Sequence, residues 1–259
     1  MTLRLLSYNI RYGGRGREAE LAAVIRSADP DVVLLQEATD RGVVERLSEL
    51  TGLPNWDSRP RFSTGYLTRR EVIHHDWHLP RWTRHAFLEL ALAGPELRIF
   101  GLHLSAWFSN WSEWRRRFEI RSLLYAIREH QHGVHFIAGD FNALAPGEVL
   151  KAERMPQWIR AMVWLSGQDI ARHTIQHMID QHYVDAWRIA HPTGEGYTFP
   201  TWDPHVRLDY IFTPERYQSS IRACDVLNRS AVARTASDHF ALLVELDLAS
   251  GAAAVDQRE

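Results

Sequence analysis

One cysteine, Cys224, stands in 259 residues, so an intrachain disulfide is impossible and thiolate-based zinc sites are excluded. Charge of one sign is lacking as well. The 30 Lys and Arg are opposed by 32 Asp and Glu, a formal net charge of -2. That balance gives no global field of the kind a dedicated nucleic-acid binder carries, and leaves only a local basic groove open. No apolar run approaches a membrane span. The start "MTLRLLSYNI" is also too short in apolar residues for a signal-peptide core with its cleavage site. The expectation is a soluble, cytoplasmic protein with no transmembrane segment and no obligate protein partner. Internal repeats and long linkers are missing too. Only "ASGAAAVDQRE", residues 249–259, reads as a flexible tail, following one domain over 1–248.

What the chain does have is core-forming material, 45% hydrophobic residues, enough for a large interior. "TLRLLSYNI", "REAELAAVIRSA" and "DVVLLQE" read as strand, helix and buried strand, the helix breaking at Asp29-Pro30. Further strands are expected at "TGYLTR", "HAFLELAL", "LRIFGLHL", "VHFIAG", "LDYIFT", "SIRACDVL" and "FALLVELDL", with helices at about 40–51, 109–130 and 156–181. Hairpin-like neighbours with helices between them imply a sheet-rich α/β sandwich.

The polar residues at the strand ends carry the chemistry. "SYNI" ends in Asn9, "LLQE" in Glu37, "LHL" carries His103, and "GDFN" carries Asp140 and Asn142. "VRLDYIF" carries Arg207 and Asp209, and "SDHF" sets Asp238 and His239 before the last strand. In an extended backbone residues i and i+2 share a face, so Asp140 and Asn142 are expected to point the same way. Read alone, Gly139, Asp140 and Asn142 equally describe a turn. A single polar strand terminus is ordinary; a run of six at successive strand ends is a pattern.

In this order, from residue 7 to residue 240, these blocks resemble the endonuclease/exonuclease/phosphatase superfamily, which includes DNase I, sphingomyelinases, inositol polyphosphate 5-phosphatases and deadenylases. The resemblance implies a four-layer α/β/β/α sandwich of two packed mixed sheets with outer helices. It also implies a Mg²⁺- or Mn²⁺-dependent phosphoester hydrolase, acting by in-line attack of water on phosphorus. Glu37 is then the principal metal ligand, with Asn9 beside it and Asp238 near the metal or its waters; hard oxygen donors suit these ions. His103, Asp140, Asn142, Asp209 and His239 form the catalytic set. Asn142 and His103 also contact the phosphate, and Asp209 pairs with His239. Either Asp140 or His239 can serve as the base. Arg207 is taken as a substrate-side strut rather than a catalyst.

The substrate stays open among a small phosphodiester, a nucleic acid and a lipid head group. A phosphodiesterase is the first reading, with a non-specific nuclease, a sphingomyelinase-like enzyme and an inactive binding module as alternatives. "VIHHDWH", with His74, His75 and His78, and the group His173, His177 and His182 match no metal motif and are expected to be ordinary surface histidines. In "AWFSNWSEWRRRFEIRSLLYAI", Trp107, Trp111, Trp114 and Phe118 form one stripe and Ile120, Leu123, Leu124 and Ile127 another. A helical insertion at about 147–180 is expected to lay residues 155–170 over the aromatic stripe and narrow the cleft; the alternatives are a stripe that is core under another loop, or an exposed patch that meets a membrane or a protein partner.

Overall fold

The computed structural model describes residues 2–248 apart from 95–96, 107–108, 132, 156 and 166–169. The expected tail at 249–259 and Trp107 therefore lie outside the described residues.

Two six-stranded mixed sheets pack face to face. The first is built from β1 (Thr2–Asn9), β2 (Val32–Gln36), β3 (Asn55–Ser58), β4 (Thr64–Thr68), β11 (Ile221–Val226) and β12 (Leu242–Asp247), in the order β11-β12-β1-β2-β4-β3. The second contains β5 (Val72–His78), β6 (Phe87–Leu92), β7 (Leu97–His103), β8 (Val134–Asp140), β9 (Tyr183–Asp185) and β10 (Asp209–Pro214), in the order β5-β6-β7-β8-β10-β9. Each sheet has one parallel pair at its centre, β1 with β2 and β7 with β8, and is otherwise antiparallel. Alternation along the strands sorts the side chains. Phe136 and Ala138 enter the core between the sheets, while Ile137 enters the layer beneath the outer helices.

Helices α1 (Glu18–Ala28) and α2 (Arg41–Thr51) cover the first sheet. Helix α1 stops where Asp29 turns left-handed ahead of Pro30. Helix α2 starts where the Asp40 carboxylate accepts the amides of Gly42 and Val43, and ends at a left-handed Gly52. On the second sheet lie α3 (Asn110–Ala126) and α5 (His173–Asp180), with α4 (Gln157–Leu165) preceding α5; two short helices follow, α6 (Ala186–Ala190) and α7 (Ala231–Ala236).

Three expectations need correction. The single helix over 156–181 is two helices, α4 and α5, with Ile170 and Ala171 outside both. Helix α4 does not cap the aromatic stripe, since Trp111 and Trp114 stay exposed. Its Ile159 and Val163 pack instead with Leu144, Met155, Ile170, Val206 and Leu208, a small core that needs that apolar side. The buried face of α3 is also not simply aliphatic. Ile120, Leu123 and Leu124 fill its C-terminal half, but at the same helical spacing Glu113, Arg116 and Glu119 fill the N-terminal half. Arg116 donates to Glu113 (2.9 Å) and to the Ser105 carbonyl (3.0 Å), and Glu119 accepts from the amide and hydroxyl of Ser105. The Thr174 amide of α5 donates to Glu113 (2.6 Å).

Candidate active site

The two central parallel pairs end at the same edge of the sandwich, and the ladders set the site out in a row. His103 on β7 is the register partner of Asp140 on β8, which is itself opposite Asp209 on β10. From the facing sheet Asn9 ends β1, and Glu37 follows β2. Gly139 makes the close approach possible. A Cβ built there would lie 1.9 Å from the Leu102 carbonyl oxygen, on a residue with φ of 150°, so only glycine lets β8 run this close to β7.

The Asp140 carboxylate sits between two imidazoles. Its Oδ2 is 3.8 Å from Nε2 of His103 and 3.8 Å from Nε2 of His239, and accepts from Nδ2 of Asn9 at 3.1 Å. Each imidazole is anchored through its other nitrogen. Nδ1 of His239 is 2.8 Å from Oδ2 of Asp209, and Nδ1 of His103 is 3.1 Å from the Ser63 hydroxyl. Both Nε2 atoms are thereby turned toward Asp140. Burial works against the His239 imidazolium, but Asp209 and Asp140 outweigh it and raise the group to about 10. Burial pushes Asp140 up to about 7, with His239 pulling the other way. His103 is held below the usual histidine range by burial, partly opposed by Glu37.

Backbone strain concentrates at the oxygen donors. Glu37, Asn142, Arg11 and Tyr12 all take left-handed φ, at 56°, 49°, 54° and 48°, each costing on the order of 1 kcal/mol for a residue with a Cβ. The turn at Glu37 aims its carboxylate so that Oε1 accepts from Nδ2 of Asn9 (3.3 Å) and Oε2 from the Tyr12 amide (2.5 Å). Oδ1 of Asn9 accepts from the Arg11 amide (2.9 Å). Asn142 is not extended, so the shared strand face does not hold it beside Asp140. The chain turns, the Asn142 amide returns to Oδ1 of Asp140 (2.8 Å), and Nδ2 donates to the Leu104 carbonyl (3.0 Å). The turn reading of "GDFN" is therefore the local geometry, and it leaves Asp140 at the edge where His103 and His239 converge. Asp238 lies at the rim, 3.3 Å from Nε of Arg11.

Arg207 is the residue that is not brought to the cluster. Its fully buried guanidinium lies between Glu148 (2.8 Å) and Asp185 (2.5 Å), and over the Tyr210 ring, so substrate contact would break two buried ion pairs. The sequence reading also missed Ser63, for which no motif exists, and His85, whose ring stacks on His103 at 5.7 Å. Phe199, 4.8 Å from the His239 ring, and Ser237, whose hydroxyl donates to the Asn9 carbonyl (2.7 Å), fix the His239 loop. The other histidines stay apart. His75 faces Asp57 and His78 faces Glu89, and His173 and His182 are exposed.

The donor set suits a divalent cation. Glu37, Asn9 and Asp238 offer oxygen ligands only, matching a hard ion. Oδ1 of Asp209 is buried with no hydrogen-bond partner. Ligand atoms of Asp140, Asp209 and His239 also lie within 4.8 Å of one another, close enough to hold a metal. The 2.8 Å contact commits Oδ2 of Asp209 and Nδ1 of His239 to each other.

Residues 6–239 match the model of the endonuclease/exonuclease/phosphatase family. The chain belongs to this family. No match was found among functionally curated proteins. The fold is similar to that of a 3'-5' exonuclease from Neisseria meningitidis, with a TM-score of 0.71 at 17% identity, covering 95% of this chain and 100% of that one. Danio rerio TDP2 complexed with a single-strand DNA product gives 0.67 at 19% identity, with 95% and 99% covered. A functionally unknown conserved protein from Enterococcus faecalis gives 0.69 at 16% identity, also with 95% and 99% covered. The expected sandwich of two packed mixed sheets is the family fold. No helix among the described residues is long and apolar enough to cross a membrane.

Proposed function

We propose that the protein is a divalent-metal-dependent phosphodiesterase that hydrolyses its substrate by attack of water on phosphorus. The observation that carries this reading is the placement of one carboxylate oxygen of Asp140 at 3.8 Å from Nε2 of two histidines whose Nδ1 atoms are both anchored. A phosphodiester is anionic, and water attacks it slowly unless charge is neutralised and the two oxygens are held in line. Glu37, with Asn9 and Asp238, would hold Mg²⁺ or Mn²⁺, which would supply charge neutralisation at the phosphate.

The remaining work falls to the protein's own groups. Asp140 accepts a proton from the attacking water, which it orients through Oδ2. His239, kept as imidazolium by Asp209, donates from Nε2 to a phosphoryl oxygen as charge builds there, and His103 donates from the other side. The second Nδ2 proton of Asn142 is available to the phosphate, the first being committed to Leu104.

The test is hydrolysis of bis-p-nitrophenyl phosphate with Mg²⁺ or Mn²⁺, with EDTA, and with Asp140→Asn. Turnover abolished by EDTA and lowered at least ~100-fold in the variant is the expected result; no turnover with either ion, or an unaffected variant, overturns the reading. A nuclease is the second reading, favoured by the similarity to the TDP2 structure that holds a single-strand DNA product. Comparing DNA, RNA, sphingomyelin and inositol phosphates as substrates decides between them.

A further inference from the structure

The outer face of α3 exposes a row of aromatic rings. Trp111 and Trp114 are 69% and 62% exposed, with near-parallel rings 5.9 Å apart, and Phe118 continues the row 6.4 Å further on. Two turns later Tyr125 is exposed too, with the Arg128 guanidinium 4.3 Å from its ring. At 3.6 residues per turn these four rings fall within about 60° of one another around the axis.

The charge that α3 itself shows on this face has one sign. Of the four arginines in α3, Arg116 is buried against Glu113, while Arg117 and Arg121 are exposed and Arg115 is half-buried. Both acids of the helix, Glu113 and Glu119, are turned inward and buried. Helix α3 therefore shows solvent aromatic rings and guanidinium groups with no carboxylate of its own. The end of α4 is exposed as well. Trp164 and Leu165 are 66% and 77% exposed, and Arg160 is exposed. The Ala171 amide donates to the Asn110 side chain at the start of α3 (3.0 Å). Five residues of chain separate Leu165 from Ile170, which bounds the distance between them at about 18 Å.

We propose that this face docks the protein on an anionic lipid bilayer, with α3 lying in the interfacial plane. Aromatic rings settle at the head-group level, and arginines pair with lipid phosphates from the same face. Two features favour lipid over nucleic acid. Leu165 has no ring to offer a base, and the rings of Trp111, Trp114 and Phe118 are stacked along one another rather than held apart as base-sized slots. The helix begins seven residues after His103, at the edge of the sandwich where the site opens. Docking thus brings the site toward head-group phosphodiesters. That last step rests on the phosphodiesterase reading, whereas the docking itself does not.

The test is flotation of the full chain with phosphatidylcholine vesicles, with and without phosphatidylserine. The expected result is binding that needs the anionic lipid and weakens with salt. Trp111→Ser/Trp114→Ser should lower partition about tenfold or more, and Arg117→Gln/Arg121→Gln about fivefold per arginine. Both variants should melt like the parent and hydrolyse the soluble diester unchanged. Failure of the parent to float with anionic vesicles, or full binding by the tryptophan variant, overturns the proposal. So does retention of a single-stranded oligonucleotide that is lost in that variant without vesicle binding. A protein that floats but hydrolyses nothing keeps the docking and removes the phosphodiesterase reading.

Discussion

Asp209→Asn tests the charge arrangement of the site most directly. His239 is fully enclosed, so burial alone would hold it below its ordinary 6.5, yet it stands at about 10 because Asp209, at 2.8 Å, and Asp140 both favour the imidazolium. Asparagine keeps the shape and removes the nearer of the two negative charges. In the metal-free protein the His239 pKa should then fall by at least ~2, equivalent to about 3 kcal/mol between the two protonation states. The sign for stability follows from linkage. A group whose folded pKa is raised contributes stability that is fully present below 6.5 and is lost as the pH rises toward about 10. The variant should therefore be destabilised most at pH 6 and least in alkali. Nitrogen-detected NMR titration of the imidazole gives the pKa, and urea midpoints across pH give the linkage. An unchanged His239 titration, or a destabilisation that grows with pH, would refute the assignment of Asp209 as the group that holds the charge.

Glu37→Gln should leave melting intact while weakening Mg²⁺ or Mn²⁺ binding by calorimetry and cutting turnover by about two orders of magnitude, because an amide lacks the carboxylate charge; unaltered binding at limiting metal would remove Glu37 as the ligand. Gly139→Ala places a methyl group where the Leu102 carbonyl already stands and should cost about 3 kcal/mol in urea unfolding, with activity lost as β7 and β8 separate. Arg116→Met leaves Glu113 buried and uncompensated and should cost about 3–5 kcal/mol. Glu113→Gln/Arg116→Met should recover part of that loss, and a double variant no more stable than the single would show that the pair is not what couples them.

The strand ends were legible because a strand terminus is a local event. Alternation and apolar runs identify β1, β2, β7, β8 and β10 from a few consecutive residues, and a polar residue at or next to one end of each run, the first residue in β10, is the one delivered to the sheet edge. Asn9, Glu37, His103, Asp140 and Asp209 could therefore be found in the sequence, and the family resemblance ordered them. Periodicity likewise located α3 and its aliphatic stripe. Sequence could not show which stripe of α3 turns inward at its N-terminal half. Glu113 and Arg116 are buried because each is the other's partner, and Thr174 and Ser105 come from elsewhere in the chain to complete the set. A charged pair reads as surface until those partners are known. The same reason hid Ser63 and His85, which reach His103 only because separate segments meet at one edge. It also hid the fate of α4. An amphipathic helix declares that it has an apolar side, but the surface that receives that side is a property of the assembled chain. Here a small core around Leu144 and Leu208 took it, and the tryptophans of α3 were left facing solvent.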